Sequence, residues 1–306
     1  MKGTAKVDDD LTLGAHVEAA LQDNAASQVS QINETSGFNI SGRFFDLTAD
    51  SETYGKGSFG KGFASSFFIA EIDASGTLYA NLPSVGNTAS GLLFYDNDAN
   101  DYVEGLSVGD AFLDLEALSL INRVRYDSPV WNGLRLSGTL GQDQFRDVTL
   151  RSKGTMGDFD VTSAASYQND ANGPFSDWRT DGGTGILHRP TGLNLSGGGA
   201  LQKATFDGRK SHGFLARGGW RGKWFDVGET KTALDFTRTW DITVNGDRAT
   251  SIGAFLVQDI EAYDLQLYTG YRNYDLDRDD IDLDAIHVWT VGARVGFEVD
   301  ASWGKF

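Results

Sequence analysis

The 306-residue chain contains no cysteine, and only 4 prolines, 4 histidines and 2 methionines. Without cysteine there can be no disulfide framework, no thiolate zinc site and no cysteine nucleophile. A Cys-free chain also suits export into an oxidising compartment. No run of 18 apolar residues occurs, so no transmembrane helix is expected. Positive charge is scarce as well: 26 Lys and Arg stand against 43 Asp and Glu, a net charge of −17. Nucleic-acid binding requires a basic surface, and that class of partner is excluded. Glycine, by contrast, is abundant at 38 residues, and aromatics make up 12%. Many glycines and aromatics with little proline fit closely packed strands joined by frequent turns. The length allows two ordinary domains or one large all-β barrel, and the pattern along the chain points to a single barrel domain over residues 1–306.

That pattern has a period of two. In Leu11–Leu21, Leu11, Leu13, Ala15, Val17, Ala19 and Leu21 share one face, and Thr12, His16 and Glu18 the other. The same alternation recurs in 132–142, 159–167, 212–220, 251–260, 264–273 and 286–297. A soluble sandwich also alternates, so the polar face has to decide. It carries Arg123, Arg125, Arg135, Arg151, Arg217, Arg272 and Arg294 at mid-strand, with Glu18, Asp160, Asp235 and Asp259 among them. On a transmembrane barrel such residues line a water-filled lumen. Tyr126, Tyr167, Trp220, Trp240, Tyr271 and Trp289 lie near strand ends on the apolar face, as interfacial girdles do. Short turns at 128–133, 155–158, 189–192 and 261–263 alternate with longer polar connections at 23–34, 168–183, 243–249 and 273–284, the two-ended plan of an outer-membrane barrel.

Residues 61–120 break the rhythm. The stretch is acidic, with Glu71, Asp73, Asp96, Asp98, Asp101, Glu104, Asp110, Asp114 and Glu116, and it has no Lys or Arg after Lys61. So long an irregular segment needs a function. Folded into the barrel, it would narrow the pore.

Several stretches resemble the proteobacterial outer-membrane general-diffusion porins. Tyr54-Gly55-Lys56-Gly57-Ser58 with Ala70-Glu71-Ile72-Asp73-Ala74-Ser75-Gly76-Thr77 is similar to the family's G-x-G-S … A-E-x-D-x-S-G-T stretch. Asn122-Arg123-Val124-Arg125-Tyr126-Asp127-Ser128-Pro129, followed by Gly133-Leu134 and Ser137, is similar to its N-R-V-R-Y-D-S/T-P hairpin, the most specific element. Residues 271–276 and 291–297 resemble its final hairpin. The resemblance implies a homotrimer of sixteen-stranded antiparallel barrels in the outer membrane of a Gram-negative bacterium, surrounded by lipid and lipopolysaccharide, with an inward-folded third loop. Three features depart from it. The periodicity counts nearer fourteen strands, 63–68 is more apolar than the family's stretch, and 298–306 continue past Phe297 as a strand end or extension to a second terminal Phe306.

The functional expectation is passive diffusion of ions and small hydrophilic solutes. Wall arginines Arg43, Arg123, Arg125 and Arg135 would face loop carboxylates Glu71, Asp73, Asp96, Asp98, Asp110 and Asp114 across an electrostatic eyelet. Alternatively, those arginines neutralise lumen carboxylates for stability. A solute-specific channel for sugars or organic ions would use Phe67, Phe68, Phe94 and Tyr95 as an aromatic track, and a soluble ligand-binding β-protein is the third class. No resident cofactor is expected. The oxygen-rich Asp96, Asp98, Asp101 and Glu104 could take only calcium, and they lack EF-hand spacing. Asp275, Asp277, Asp279, Asp280, Asp282 and Asp284 could hold divalent cations against lipopolysaccharide. No enzyme is expected: G-x-S-x-G, Walker and H-E-x-x-H patterns are absent, although a hydrolase could in principle be built around His287.

Overall fold

The computed structural model describes residues 1–81, 85–117, 120–170, 176–205 and 207–296. Phe297 and the 298–306 extension lie outside the described residues. The strands are β1 (Lys2–Lys6), β2 (Leu11–Asp23), β3 (Phe38–Ser51), β4 (Gly55–Phe63), β5 (Leu93–Asp96), β6 (Asp101–Ser107), β7 (Leu120–Asp127), β8 (Leu134–Gly141), β9 (Arg146–Met156), β10 (Phe159–Asn169), β11 (Ser176–His188), β12 (Leu193–Ala204), β13 (Lys210–Phe225), β14 (Gly228–Trp240), β15 (Arg248–Ile260), β16 (Leu265–Asp277) and β17 (Ile286–Val295). Fifteen of them form one antiparallel meander, in which β4 pairs with β7 across the inserted segment and β5–β6 make a separate hairpin. Among the described residues β1 and β17 have one sheet neighbour each. The wall therefore counts fifteen strands, against fourteen from periodicity and sixteen from the resemblance. β1 precedes the first expected strand, and 176–183, expected to be loop, belong to β11.

Burial is inverted relative to a soluble protein. Val291 is 82% exposed, Leu140 68% and Leu234 66%, while Arg272 and Arg217 are 2% and 3% exposed. Because strand side chains alternate between faces, the wall strands from β2 onward present their apolar sets mainly outward and their charged sets mainly to the interior.

The described residues between 64 and 117 fill part of that interior. They are more ordered than expected, with a short helix α1 (Leu78–Asn81), the β5–β6 hairpin and a second short helix α2 (Val108–Ala111). The segment touches the wall almost all the way round. Ser65 N–H donates to Thr139 Oγ1 on β8 (2.8 Å), Ala74 N–H to Ser196 Oγ on β12 (2.8 Å), and Tyr274 Oη on β16 donates to the Val85 carbonyl (2.7 Å). Arg294 of β17 lies over the Tyr79 ring at 4.3 Å. One short segment can reach β8 through β17 only if the sheet curls around it. Phe94, Leu106, Val108, Phe112 and Leu115 pack on Ala200, Leu215, Ala249, Tyr274 and Leu276. The segment is thus seated on the β12–β16 side by burial worth about 1.5–3 kcal/mol per large side chain.

Glycine makes the closest approach possible. Gly183 and Gly198 are register partners on β11 and β12. A Cβ on either would collide with a loop carbonyl, that of Ile69 or of Ala70 respectively. The loop backbone lies flat on the wall where side chains are missing.

Candidate functional site: the lumen and its inserted loop

The wall arginines at the start of the loop are committed to strand carboxylates and loop carbonyls. Arg123 forms a bidentate pair with Asp46 at 2.9 and 3.0 Å, and its Nε donates to the Phe63 carbonyl at 3.0 Å. Arg125 holds Asp127 at 2.7 Å and donates to the Ala64 carbonyl at 3.1 Å. Arg151 donates to the Ser65 and Phe67 carbonyls at 2.7 and 3.1 Å. Arg123 and Arg125, expected to face the acidic loop across open water, instead moor its first residues. This is the stability alternative of the sequence reading: buried guanidinium groups need acceptors, and strand carboxylates and backbone carbonyls provide them.

Arg43 and Arg135 differ. Arg43 Nε pairs with Glu18 at 2.6 Å and lies within electrostatic reach of Glu116. The Arg135 guanidinium makes no hydrogen bond or ion pair with the described residues and opens onto cavities on either side of the 128–133 turn.

The loop carboxylates are not equivalent. Glu71 is 1% exposed, and neither of its oxygens has a hydrogen-bond partner among the described residues. Burial, reinforced by Asp114 and Glu116, pushes its carboxyl well above the usual range, against the weaker pull of Arg217 and Arg179. A neutral Glu71 is the consistent state. Asp73 accepts from Ser75 at 2.6 Å and lies 3.5 Å from Arg217. Asp110 caps α2 through a reciprocal box with Ser107, so it serves the loop's own fold. Asp114 is exposed to the lumen, and its carbonyl accepts from Arg179 at 2.6 Å.

Asp96, Asp98 and Asp101 lie at the β5–β6 turn, away from the arginines. Asp96 Oδ1 accepts from the Asp98 and Ala99 amides. Asn97 N–H donates to the Asp282 carbonyl at 2.9 Å, which ties this turn to the 278–285 connection. Asp96, Asp98, Asp101 and Glu104 do not converge on a common point: among the described residues no group of three His, Asp or Glu side chains could hold a metal ion. Phe94 is fully buried in the loop core and Tyr95 packs edge-on against Tyr102 at 5.2 Å. Of the four expected track aromatics, Phe67 and Phe68 line a cavity.

Periodicity placed Arg217, Arg272 and Asp235 on strands without distinguishing them, whereas Arg179 and Asp181 fell in the expected 168–183 connection and belong to β11. The structure joins them. Arg217 and Arg272 share Asp235 at 3.0 and 2.9 Å, and Arg179 holds Asp181 at 2.6 Å. A signal was available: basic and acidic residues recur on one face of successive strands. Only the register says which of them meet. The histidines sit among rings and hydroxyls: His16 stacks on Phe44, His212 on Trp240, His188 contacts Thr191 at 2.7 Å and His287 contacts Tyr271 Oη at 2.8 Å.

The inserted loop divides the lumen. On the long-connection side lies a cavity of about 440 Å3 of mixed lining, with Asp114, Gln168, Arg179 and Gln202 beside Phe112, Leu113 and Ile242. On the short-turn side lies one of about 650 Å3 with Phe67, Phe68, Arg135 and Arg151.

No protein-family profile matches the chain, and no curated protein matches it by sequence. Solved structures do match. In-vitro folded OmpT, an outer membrane protein of Vibrio cholerae, aligns at TM-score 0.61 and 12% identity, covering 96% of this chain and 87% of that one. Salmonella typhi OmpF, in a complex with daunomycin, aligns at 0.58 and 15%, covering 96% and 88%. An anion-selective porin from Comamonas acidovorans aligns at 0.57 and 15%, covering 97% and 88%. At such identities the likeness establishes architecture alone: the chain has the fold of the outer-membrane porins.

Proposed function

We propose that the protein is a passive diffusion channel for ions and small hydrophilic solutes in the outer membrane of a Gram-negative bacterium. The observation that carries this is the inverted burial. Leucines and valines cover the outside, ion-paired arginines and aspartates line the inside, and a loop only partly fills the space between them. A soluble ligand-binding β-protein would be penalised for each of those outward leucines, whereas a barrel in lipid is stabilised by them. The sheet closes as a sixteen-stranded barrel. The narrowest passage runs between the loop and the β2–β4 wall, with Arg43 facing Glu116 and Asp114. Three copies associate through their outer faces, a reading supported by the trimer form of the structurally similar Vibrio cholerae OmpT. The acidic 275–284 stretch meets lipopolysaccharide through bridging divalent cations. None of these roles requires catalysis.

Planar-bilayer conductance of the detergent-purified protein in KCl tests the proposal. Stepwise insertions, each closing in thirds, are expected. Folded, inserted protein that never conducts would overturn it and make the loop a plug. Phe67 and Phe68, together with the free Arg135, favour a second reading in which one solute class is preferred.

A further inference from the structure

The short-turn side of the lumen holds an arrangement that the stability of the wall does not explain. Arg135 on β8 and Arg151 on β9 are direct cross-strand partners. Like charges placed directly opposite destabilise a sheet. Lys153 lies two residues beyond Arg151 on the same face, and its ammonium, like the Arg135 guanidinium, makes no hydrogen bond or ion pair with the described residues. Three cations therefore share one cavity wall.

Most nearby carboxylates already have partners; Asp50 and Glu52 line the adjoining cavity that Arg135 also reaches, and Arg135 adds to the field on Asp127. Asp127 is taken by Arg125 and Ser137, Asp147 by Ser65 and Ser66, and Asp73 by Ser75 and Arg217. Asp160 accepts from Thr155 at 2.9 Å and lies 3.6 Å from Arg189. The cavity thus has unspent positive charge on one side.

Its other side is apolar. Phe67, Phe68 and Ile72 project from the loop, with Val130 from the turn below. Phe67 is held rigidly, stacked on Phe63 at 4.0 Å with the planes 7° apart. Phe68 is fixed at a φ of +63°, a backbone conformation an L-residue adopts only when its surroundings impose it. The volume of about 650 Å3 is within the ordinary range of small-molecule sites.

We propose that this cavity is a binding subsite for amphipathic organic anions, that is, small carboxylates or sulfonates carrying an aromatic or branched apolar body. The acid group sits between Arg135, Arg151 and Lys153, and the apolar body lies on Phe67, Phe68 and Ile72. Arg151 is the fixed element, because its guanidinium is already braced by the loop carbonyls of Ser65 and Phe67. Arg135 and Lys153 are the mobile clamps. The inference rests on the channel reading in one respect only: solute must be able to reach the lumen.

Benzoate is the probe, with benzyl alcohol and acetate as its two halves, titrated calorimetrically into the folded protein in detergent. Saturable benzoate binding is expected. It should weaken about tenfold or more in Arg135→Ala/Lys153→Ala, and for either half-probe, since both the charge and the ring contribute. No saturable binding, equal binding of benzyl alcohol, or unchanged binding by the double variant would each overturn the subsite. Bilayer recordings of the same samples separate the two claims. A protein that conducts but does not bind benzoate refutes the subsite and leaves the channel standing. A protein that binds benzoate but never conducts refutes the channel and leaves the subsite standing. Reversible benzoate blockade of an open channel, reduced in the double variant, supports both.

Discussion

Arg123 on β7 reaches past the intervening strand β4 to grip both carboxylate oxygens of Asp46 on β3, while its Nε holds the carbonyl of the last residue of β4. One side chain thereby cross-links three strands where the chain leaves the wall and enters the lumen. Both partners are nearly buried, with side chains 4% and 11% exposed.

Removing one partner leaves the other charge stranded. Arg123→Ala is expected to cost about 3–5 kcal/mol, because an uncompensated buried carboxylate dominates the loss. Urea unfolding of the detergent-folded protein measures this. Adding Asp46→Asn should recover part of the cost, since the stranded charge is removed. A double variant no more stable than Arg123→Ala would show that the carbonyl contact, and not the pair, matters.

Gly198→Val places side-chain atoms where the Ala70 carbonyl lies. The loop must lift off β12, the Gly182 carbonyl on β11 must also give way at 2.7 Å, and the lumen geometry changes. Single-channel conductance is expected to shift, with new protease sensitivity within the loop. Wild-type conductance and protease resistance would mean that the loop is not seated on that glycine.

Glu116 titrates near neutrality. Burial raises its carboxyl to about 7, Asp114 adds to the rise, and Asn87 and Arg43 oppose it. The group is protonated below that value and charged above it, so cation preference should increase as pH rises through about 7. The linked stability runs the opposite way: the protonated group favours the folded state at low pH, and this advantage is lost as pH rises through 7. Reversal potentials under a KCl gradient between pH 5.5 and 8.5 should show the step, and Glu116→Gln should abolish it. A step that persists in the variant would assign the titration to another group.

Leu150 and Thr149 are neighbours on β9 with opposite fates, one about half exposed and the other 1% exposed. If the exposed face meets lipid, Leu150→Arg at mid-strand should cost about 2–4 kcal/mol when folding is measured in bilayers. The same substitution in a soluble protein would be nearly silent. Negligible cost in lipid would argue that this face does not contact hydrocarbon.

How much of this was legible in the residues varied from element to element. The ranges 251–260 and 286–297 matched β15 and β17 within a few residues, because a strand with one face in lipid and one in water must alternate. The placement of Arg217 and Arg272 on the inner face followed from the same rule. The partner of Arg123 did not, because Asp46 is 77 residues away in sequence and no local pattern encodes that contact. Nor could composition show that Glu71 is buried and Asp114 exposed, because both lie in a stretch without periodicity. β1 was missed because its five residues, Lys2-Gly3-Thr4-Ala5-Lys6, carry no apolar alternation at all; it is held by backbone pairing to β2.

The sequence by itself determined that the chain is a meander of strands with an apolar face and a charged face, interrupted once by a long acidic insertion. Those properties follow from side-chain alternation and turn chemistry, which act over a few residues. Only the tertiary structure decided which charges meet, which remain free, and where the insertion lies. Those outcomes depend on strand register, since a shift of one residue would turn every inner arginine outward. They depend equally on the glycine-lined patch of β11 and β12, where the loop could come to rest.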